Sequence, residues 1–315
     1  MHCSIYAPHY YGRRQYKYQS VYAPTTHYTV PPPIYPPTPI KKPTPPTYER
    51  LLLSDSQRLQ YGFPIEMGLQ TYIQPNGFQE TELFYTEQNT SRVCCRCRSV
   101  FYVERDGFQP ISPHTVCRDS AGTSYNFHIH TQLPIEHLNN FKKAPKVDET
   151  NKKMSGKLFA LDVESVYTSH GQAVGRVTVV DKDENTVIDE VVLPKHPVYD
   201  YVTKYSGLTS EDFKSATETL ESVREKILSI INEESILVGH ALNGDLKALG
   251  ILHSNVIDTS VLFMKNGRRP SLRHLSSEYL KMEIQKNGHC SKEDAIAALG
   301  LVYFASLFKL SCSQR

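Results

Sequence analysis

The sequence lacks any long apolar run, and it is poor in cysteine. No segment approaches the roughly 18 consecutive apolar residues that a membrane-spanning helix needs, so we expect no membrane insertion. The first residues, Met-His-Cys-Ser-Ile-Tyr, have no apolar core of the signal-peptide type. Seven cysteines, an odd number, are too few and too clustered for a disulfide framework and favour a reducing compartment. We therefore expect a soluble intracellular protein.

A strong excess of one charge is also missing. Lysine and arginine together number 35 and aspartate and glutamate 33, which leaves a formal net charge of +2. A mildly basic balance neither requires nor excludes a nucleic-acid partner. The class of partner must therefore be inferred from motifs.

Residues 1–50 lack leucine altogether and contain a single acid, Glu49, in a segment rich in proline and tyrosine. Such a segment has little to bury, so we expect disorder with polyproline II character. The strings at 32–35 and 45–48 both read PPxY, the type that WW domains bind, and 36–41 has PxxPxK spacing that suits a Src-homology 3 groove. One alternative is that these strings occur by chance in a Pro/Tyr-rich tract. Another is that the tyrosine rings and basic residues of the tract bind single-stranded nucleic acid.

Residues 51–143 contain a group of cysteines and histidines. Cys94 and Cys97 have the C-x2-C spacing with which two thiolates reach one zinc ion. Cys117 follows alone, so we expect a zinc site, degenerate in its spacing, that takes its fourth ligand from His114, His128 or His130. The alternative is a set of buried free thiols. Residues 144–156 have the composition of a charged linker.

Residues 157–310 predict one compact α/β domain. Strands are expected at 158–163, 173–180 and 187–193, with a turn at 181–186 between the last two. Helices at 217–231, 244–251, 272–282 and 291–308 then alternate with short strands at 235–239 and 256–258. Three strands followed by alternating helices and strands favour a mixed sheet flanked by helices.

Carboxylates at the ends of these elements indicate a metal site. Asp162 and Glu164 are two apart on a strand, so both side chains lie on one face of the sheet, and a divalent cation would relieve their repulsion. For such a pair taken alone, a solvated strand end is the commoner explanation. However, Asp245 follows at the start of a helix, and His289 precedes Asp294 by five residues at the start of another. Helix-dipole and capping effects explain each acid alone but not their order.

This ordered set resembles the DEDDh 3′→5′ exonuclease superfamily. The strings at 162–168, 205–209, 239–245, 258–260 and 271–275 are similar to its eukaryotic RNA exonuclease 1-like branch, which is related to oligoribonuclease. The resemblance implies a ribonuclease H-like fold with a five-stranded mixed sheet, and release of 5′-nucleotides from RNA 3′ ends with two Mg²⁺ or Mn²⁺ ions. It also implies metal ligation by Asp162, Glu164, Asp245 and Asp294, with His289 accepting a proton from the attacking water.

The same resemblance suggests residues that contact the substrate. Gly207, Leu208 and Thr209 look like the loop whose apolar side chain wedges against the terminal bases, although Leu208 could equally belong to the core. Ser165 and Val166 follow the metal-binding pair and are expected beside the terminal nucleotide. Ser165 stands where the group has a bulky apolar residue, and we expect a weaker grip on the base there.

Three functions compete at this point. An exoribonuclease acting on single-stranded RNA 3′ ends is favoured, and a DNA 3′→5′ exonuclease is the second enzymatic alternative. A scaffold with a weak nuclease, which recruits partners through the tail, is an alternative of another class. The resemblance also implies a nuclear location.

Overall fold

The structure is a computed structural model that describes residues 48–68, 70–74, 84–86, 88–109, 116–286 and 288–308. The tail predictions for residues 1–47, including the strings at 32–35 and 36–41, lie outside these residues, as do His114 and residues 309–310. Within the described part of the chain, no helix is long and apolar enough to cross a membrane.

The C-terminal part carries the larger sheet and most of the helices. Its strands are β10 (Leu158–Thr168), β11 (Gly171–Asp181), β12 (Thr186–Val191), β13 (Val198–Asp200), β14 (Ile236–Gly239), β15 (Ile251–Leu252) and β16 (Val256–Asp258), numbered after the nine short strands found among the described residues before them. Its helices are α3 (Thr203–Ser206), α4 (Leu220–Ile230), α5 (Leu242–Leu249), α6 (Thr259–Leu262), α7 (Leu272–Leu275) and α8 (Ser291–Leu307), and a π-helical turn spans Ser276–Leu280.

The main sheet has the strand order β12-β11-β10-β14-β16. Strand β11 is antiparallel to both of its neighbours, β12 and β10, whereas β10, β14 and β16 run parallel. The predicted five-stranded mixed sheet is therefore confirmed, with one addition: the short β13 pairs with the far end of β10. Strand β10 is central, so the residues that it carries are flanked on both sides.

The helix signals in the sequence explain the layers above the sheet. In α4, Thr219 accepts a hydrogen bond from the N–H of Ser222, which fixes the start of the helix, and Val223 and Ile227 are fully buried. Helix α8 packs on β10, β11 and β14. Its buried residues lie on almost every side, so both a sheet and a further layer must cover it.

Part of that further layer comes from residues 48–63. Tyr48, Leu51, Leu53 and Phe63 are buried in the same core as the main sheet, and the Tyr48 ring lies 6.4 Å from that of Tyr303 on α8. Burial raises the pKa of Tyr48 to about 12. The boundary expected at residue 50 thus falls inside a segment that packs into the same core as the main sheet. Since Tyr48 is 4% exposed, the PPxY string at 45–48 cannot present its tyrosine to a WW domain in this conformation.

Short elements fill the region before the main sheet. They are α1 (Asp55–Gln60), β1 (Ile65–Met67), β2 (Gln70–Tyr72), β3 (Phe84–Tyr85), β4 (Ser91–Val93), β5 (Val100–Tyr102), β6 (Cys117–Arg118), β7 (Ser124–Tyr125), β8 (Leu133–Pro134), α2 (Ile135–Asn139) and β9 (Lys142–Lys143), with 3-10 turns at Glu49–Leu51 and Lys152–Met154. A second, small core consists of Cys94, Phe101, Val103 and Cys117. We call residues 91–130 of the described chain the Cys/His module.

Candidate active site and Cys/His site

Strand β10 sets the first two carboxylates of the candidate active site. Asp162 lies opposite Thr178 of β11, and Glu164 lies opposite Arg176, so these four side chains share one face of the sheet. A bulge follows directly, between Glu164 and Ser165. Bulges re-aim the side chains beside them, and this one separates Asp162 and Glu164 from the residues that follow.

A sharp turn places Asp245 at the same edge of the sheet. Ala241, between β14 and α5, has a φ of 60°, a left-handed conformation that is uncommon for alanine. Its N–H donates to Asp258 Oδ1 at 3.0 Å, which secures the turn from the end of the neighbouring strand β16. The first turn of α5 then carries Asp245, which is 2% exposed.

The start of α8 brings the last two residues. Asp294 lies in its first turn and is 3% exposed, and Asp294 Oδ2 is 3.3 Å from His289 Nδ1. One ligand atom each from Glu164, His289 and Asp294 lies within 4.8 Å of the others. Asp162 and Asp245 stand beside this group, close enough for their charges to act on it.

The raised carboxyl pKa values and the unsatisfied carboxylate oxygens of the site favour binding of a cation. Burial, followed by the charges of Asp294 and Asp245, raises the pKa of Glu164 to about 9. The pKa of Asp162 is raised well above its usual range, first by burial and then by Glu164, Asp245 and Asp294. Among the described residues, Glu164 Oε1 and Asp294 Oδ1 are buried and accept no hydrogen bond. Buried carboxylate oxygens that no donor satisfies suit hard divalent cations.

Several neighbours of the site were not identified from the sequence. Gln285 Nε2 donates to Asp294 Oδ2 at 2.8 Å, and no spacing rule marked it. Arg176 forms a bidentate pair with Asp189 of β12, at 2.7 and 2.8 Å, and its charge partly offsets the rise in the pKa of Glu164. The hydroxyl groups of Thr178 and Ser291 lie 2.7 Å apart and tie β11 to the start of α8. The register of β10 and β11 would have revealed that Arg176 lies opposite Glu164.

The predicted substrate residues follow α3. Gly207 has a φ of +69°, and a Cβ built on it would lie 2.7 Å from the carbonyl oxygen of His289. Thr209 is held by Asp212, which accepts from its N–H at 2.7 Å and from its hydroxyl at 2.8 Å. Leu208 is 2% exposed and packs against the backbone of Gly175, which favours the alternative that it belongs to the core.

The two residues after Glu164 differ in their exposure. Ser165 is half-buried, and its hydroxyl accepts a hydrogen bond from Gln172 Nε2 at 2.9 Å. Val166 is fully buried. Ser165 therefore has a protein partner in the place where the resemblance suggested an apolar contact with a base.

The Cys/His module assembles the predicted thiols into one cluster. Cys94 Sγ and Cys117 Sγ are 3.6 Å apart, and Cys97 Sγ is 3.3 Å from His128 Nδ1. These four ligand atoms all lie within 4.8 Å of one another. His128 is the histidine that the described residues bring to this cluster. His130 instead packs its ring at 5.7 Å from that of Tyr85 and at 6.1 Å from that of Phe101.

The protonation of this cluster also fits a metal. Burial and the neighbouring Cys94 and Cys97 raise the pKa of Cys117, whereas hydrogen bonds from Ser99 lower the pKa of Cys97 in spite of burial. The pKa of His128 is lowered by burial and by the charge of Arg96, which keeps the imidazole neutral. A cation would relieve the repulsion that raises the pKa of Cys117, and three cysteine sulfurs beside a neutral histidine match the donor set of tetrahedral zinc sites.

Comparison with known proteins places the C-terminal part in a family. The exonuclease family RNase_T matches residues 159–302. The chain is 33% identical over 260 residues to the Putative RNA exonuclease pqe-1 of Caenorhabditis elegans and 34% identical over 249 residues to the human RNA exonuclease 1 homolog. These alignments cover 72% and 69% of this chain but only 16% and 20% of those relatives.

A solved structure is similar over a shorter stretch. The Saccharomyces cerevisiae Pan2 pseudoubiquitin hydrolase-RNA exonuclease module in complex with AAGGAA RNA is 26% identical, with a TM-score of 0.47, over 54% of this chain and 32% of that one. The family match, with the site geometry described above, carries the assignment. Residues 159–302 are an exonuclease domain of the RNase_T family, in a chain that is similar to the RNA exonuclease 1-like branch.

Proposed function

We propose that the protein is a metal-dependent 3′→5′ exoribonuclease that releases 5′-nucleotides from single-stranded RNA ends. The observation that carries this proposal is the convergence of Asp162, Glu164, Asp245, His289 and Asp294 at one edge of the sheet, from elements distant in sequence. Unsatisfied oxygens on Glu164 and Asp294 support metal ligation by these acids. The names of the relatives support RNA rather than DNA as the substrate.

Each side chain has a definite task in this proposal. Two Mg²⁺ or Mn²⁺ ions, when bound, would supply charge for the attacking and the departing oxygens. Asp162, Glu164 and Asp294 would hold one ion, and Asp162 with Asp245 would hold the other. His289 would accept the proton of the attacking water, and Asp294, 3.3 Å from its Nδ1, would orient the ring and stabilise the charge that it gains. His289 is about one-third exposed, so the proton can leave to solvent.

A basic turn beside the site supports a polyanionic substrate. Residues 265–269, here the basic turn, form a tight hairpin in which Lys265 and Arg268 exchange backbone hydrogen bonds at 3.1 and 3.0 Å. Arg269, next in the chain, and Asp294 both act on the pKa of the buried His240, so the turn adjoins the carboxylates. Arg268 and Arg273 are exposed and form no ion pair with any described residue. Such cations are available to RNA phosphates.

The decisive experiment follows the degradation of 5′-labelled RNA and DNA oligonucleotides by the full chain with Mg²⁺, Mn²⁺ or EDTA. We expect a ladder of 3′-shortened RNA with either metal and none with EDTA. Asp162→Ala should abolish the ladder, and Asp148→Asn, which alters an exposed acid in the 144–156 segment, should leave it intact. No ladder under any condition would refute the proposal, and equal rates on DNA would refute its RNA preference.

We further propose that Cys94, Cys97, Cys117 and His128 hold a structural zinc ion. The four ligand side chains are buried or half-buried, and the Cys/His module around them has only a small apolar core. Modules of about 40 residues usually depend on metals or disulfides for their stability. A nuclear location and recognition of the 32–35 and 36–41 strings by WW or Src-homology 3 domains stay predictions.

A further inference from the structure

The loop that follows β13 is coupled to His289. We call residues 200–209 the substrate loop. The N–H of His289 donates to the carbonyl oxygen of Tyr205 at 2.9 Å, and Gly207 approaches the His289 carbonyl so closely that any side chain there would collide with it. The position of the substrate loop and that of His289 are therefore not independent.

The start of the substrate loop is bent into an unfavourable conformation. Val202 has φ and ψ of 51° and 37°, which is rare for a β-branched residue because its Cβ substituents crowd the backbone. Its carbonyl oxygen accepts from the N–H groups of Tyr205 and Ser206, and its own N–H donates to Asp200 Oδ1 at 2.7 Å. The carboxylate of Asp200 thus anchors the bend from which the rest of the loop extends.

The second oxygen of Asp200 faces the Cys/His module. Asp200 Oδ2 forms an ion pair with the guanidinium group of Arg96, which is 12% exposed. Arg96 also stacks on Tyr125, with its Cζ 3.6 Å from the ring centroid. In the chain it lies between Cys95, whose N–H donates to Ile129 O at 2.8 Å, and Cys97 of the thiol cluster. Its backbone is therefore fixed on both sides, and so is its planar side chain.

We propose that Arg96 is a positioning residue for the nuclease reaction, through which the Cys/His module fixes the substrate loop and His289. The inference rests on the proposed exonuclease function. A single carboxylate, that of Asp200, divides its two oxygens between the module and the loop. With Arg96 absent, Asp200 is free to rotate away from the Val202 N–H, and the bend that orients the loop loses its anchor.

The proposal predicts a loss of turnover rather than of affinity. Displacements of about 1 Å in a catalytic group cost on the order of 100-fold in rate. For the full chain on a 5′-labelled RNA oligonucleotide, we expect Arg96→Ala to lower kcat by about 10- to 100-fold and to change KM less than about threefold. Arg96→Lys should recover part of the loss, because it keeps the charge but lacks the planar fork.

A double-mutant cycle separates positioning from general damage. Asp200→Asn should reproduce the kcat loss of Arg96→Ala, and the double variant should be no worse than either single one, since both break the same link. Arg118→Ala is the matched control, because Arg118 is an exposed arginine of the same module without an ion pair among the described residues. Zinc content and melting temperature are measured on every variant.

Three outcomes would overturn the inference while leaving the proposed function intact. The first is an Arg96→Ala variant as active as an active wild type, and the second is losses of kcat that multiply in the double variant. The third is a kcat that falls only in proportion to zinc content or melting temperature. If Arg96→Ala does not fold, Asp200→Asn tests the same link from the other side. Failure of the wild type to shorten RNA would instead refute the proposed function.

Discussion

Replacement of Gly207 by alanine tests how closely the substrate loop determines the position of His289. Two effects are expected. Alanine at a φ of +69° is strained by about 1–2 kcal/mol relative to glycine. In addition, the new Cβ would lie 2.7 Å from the His289 carbonyl oxygen, which is below the minimum contact distance of 3.0 Å for Cβ atoms in proteins. The loop and the His289 backbone must therefore separate by at least 0.3 Å (3.0 − 2.7).

The chain offers a matched control for the strain alone. Gly156 has the same φ of +69°, but nothing lies within 4 Å of the Cβ that would be added there. Gly156→Ala should therefore lower the free energy of unfolding by about 1–2 kcal/mol and leave kcat unchanged. Gly207→Ala should show a similar or slightly larger loss of stability, with kcat lower by about fourfold for a displacement of His289 by 0.3 Å and by up to about 100-fold for one of about 1 Å.

The assay combines thermal melting of both variants with kcat and KM on a short RNA oligonucleotide. Equal kcat values for Gly207→Ala and Gly156→Ala would refute the argument, since they would show that the close approach to His289 has no catalytic consequence. A loss confined to KM would also contradict it, because the loop would then affect binding of the substrate and not the placement of the base.

Three further predictions concern the metals and the RNA. Burial and like charges raise the pKa of Glu164 to about 9, so the stability that this group gives the metal-free fold is fully present below its unfolded pKa of 4.5 and is lost as pH rises toward 9. The increase in melting temperature that Mg²⁺ gives relative to EDTA should therefore be larger at pH 8 than at pH 6. An equal increase at both pH values would contradict this prediction. By elemental analysis, Cys117→Ser should reduce bound zinc from one ion per chain to about none, whereas Cys290→Ser, at an exposed cysteine, should keep the zinc. A full complement of zinc in Cys117→Ser would exclude the proposed site. Replacement of Arg268 and Arg273 together by alanine should raise KM for RNA at low salt and reduce the salt dependence of log KM by about 0.7 per arginine, with Lys152→Ala, at an ion-paired lysine, as the neutral control. An unchanged salt slope would show that these two arginines do not contact the RNA.

Local patterns in the sequence determined the catalytic half of this protein to a large extent. Strand alternation alone put Asp162 and Glu164 on one face, because side chains repeat every two residues along an extended chain. The order of apolar segments predicted the mixed sheet, and the helix signals predicted α4 and α8 to within a few residues at each end. These features depend on neighbours in sequence, so one chain was enough to infer them.

The tertiary structure decided every feature that depends on contacts between distant segments. It chose His128 over His130 for the thiol cluster, buried Leu208 against Gly175, and placed Tyr48 in the nuclease core. Nothing in the local sequence marks these outcomes, because each depends on which remote surfaces meet when the core closes.

The same holds for the pair between Arg96 and Asp200, which lie 104 residues apart in the chain. Each residue belongs to a segment with its own local pattern, and neither pattern predicts a contact with the other segment. Only the packing of the Cys/His module against the end of β10 and β13 brings the two charges together. The sequence thus specified the chemistry of the site, and the fold determined what holds that chemistry in place.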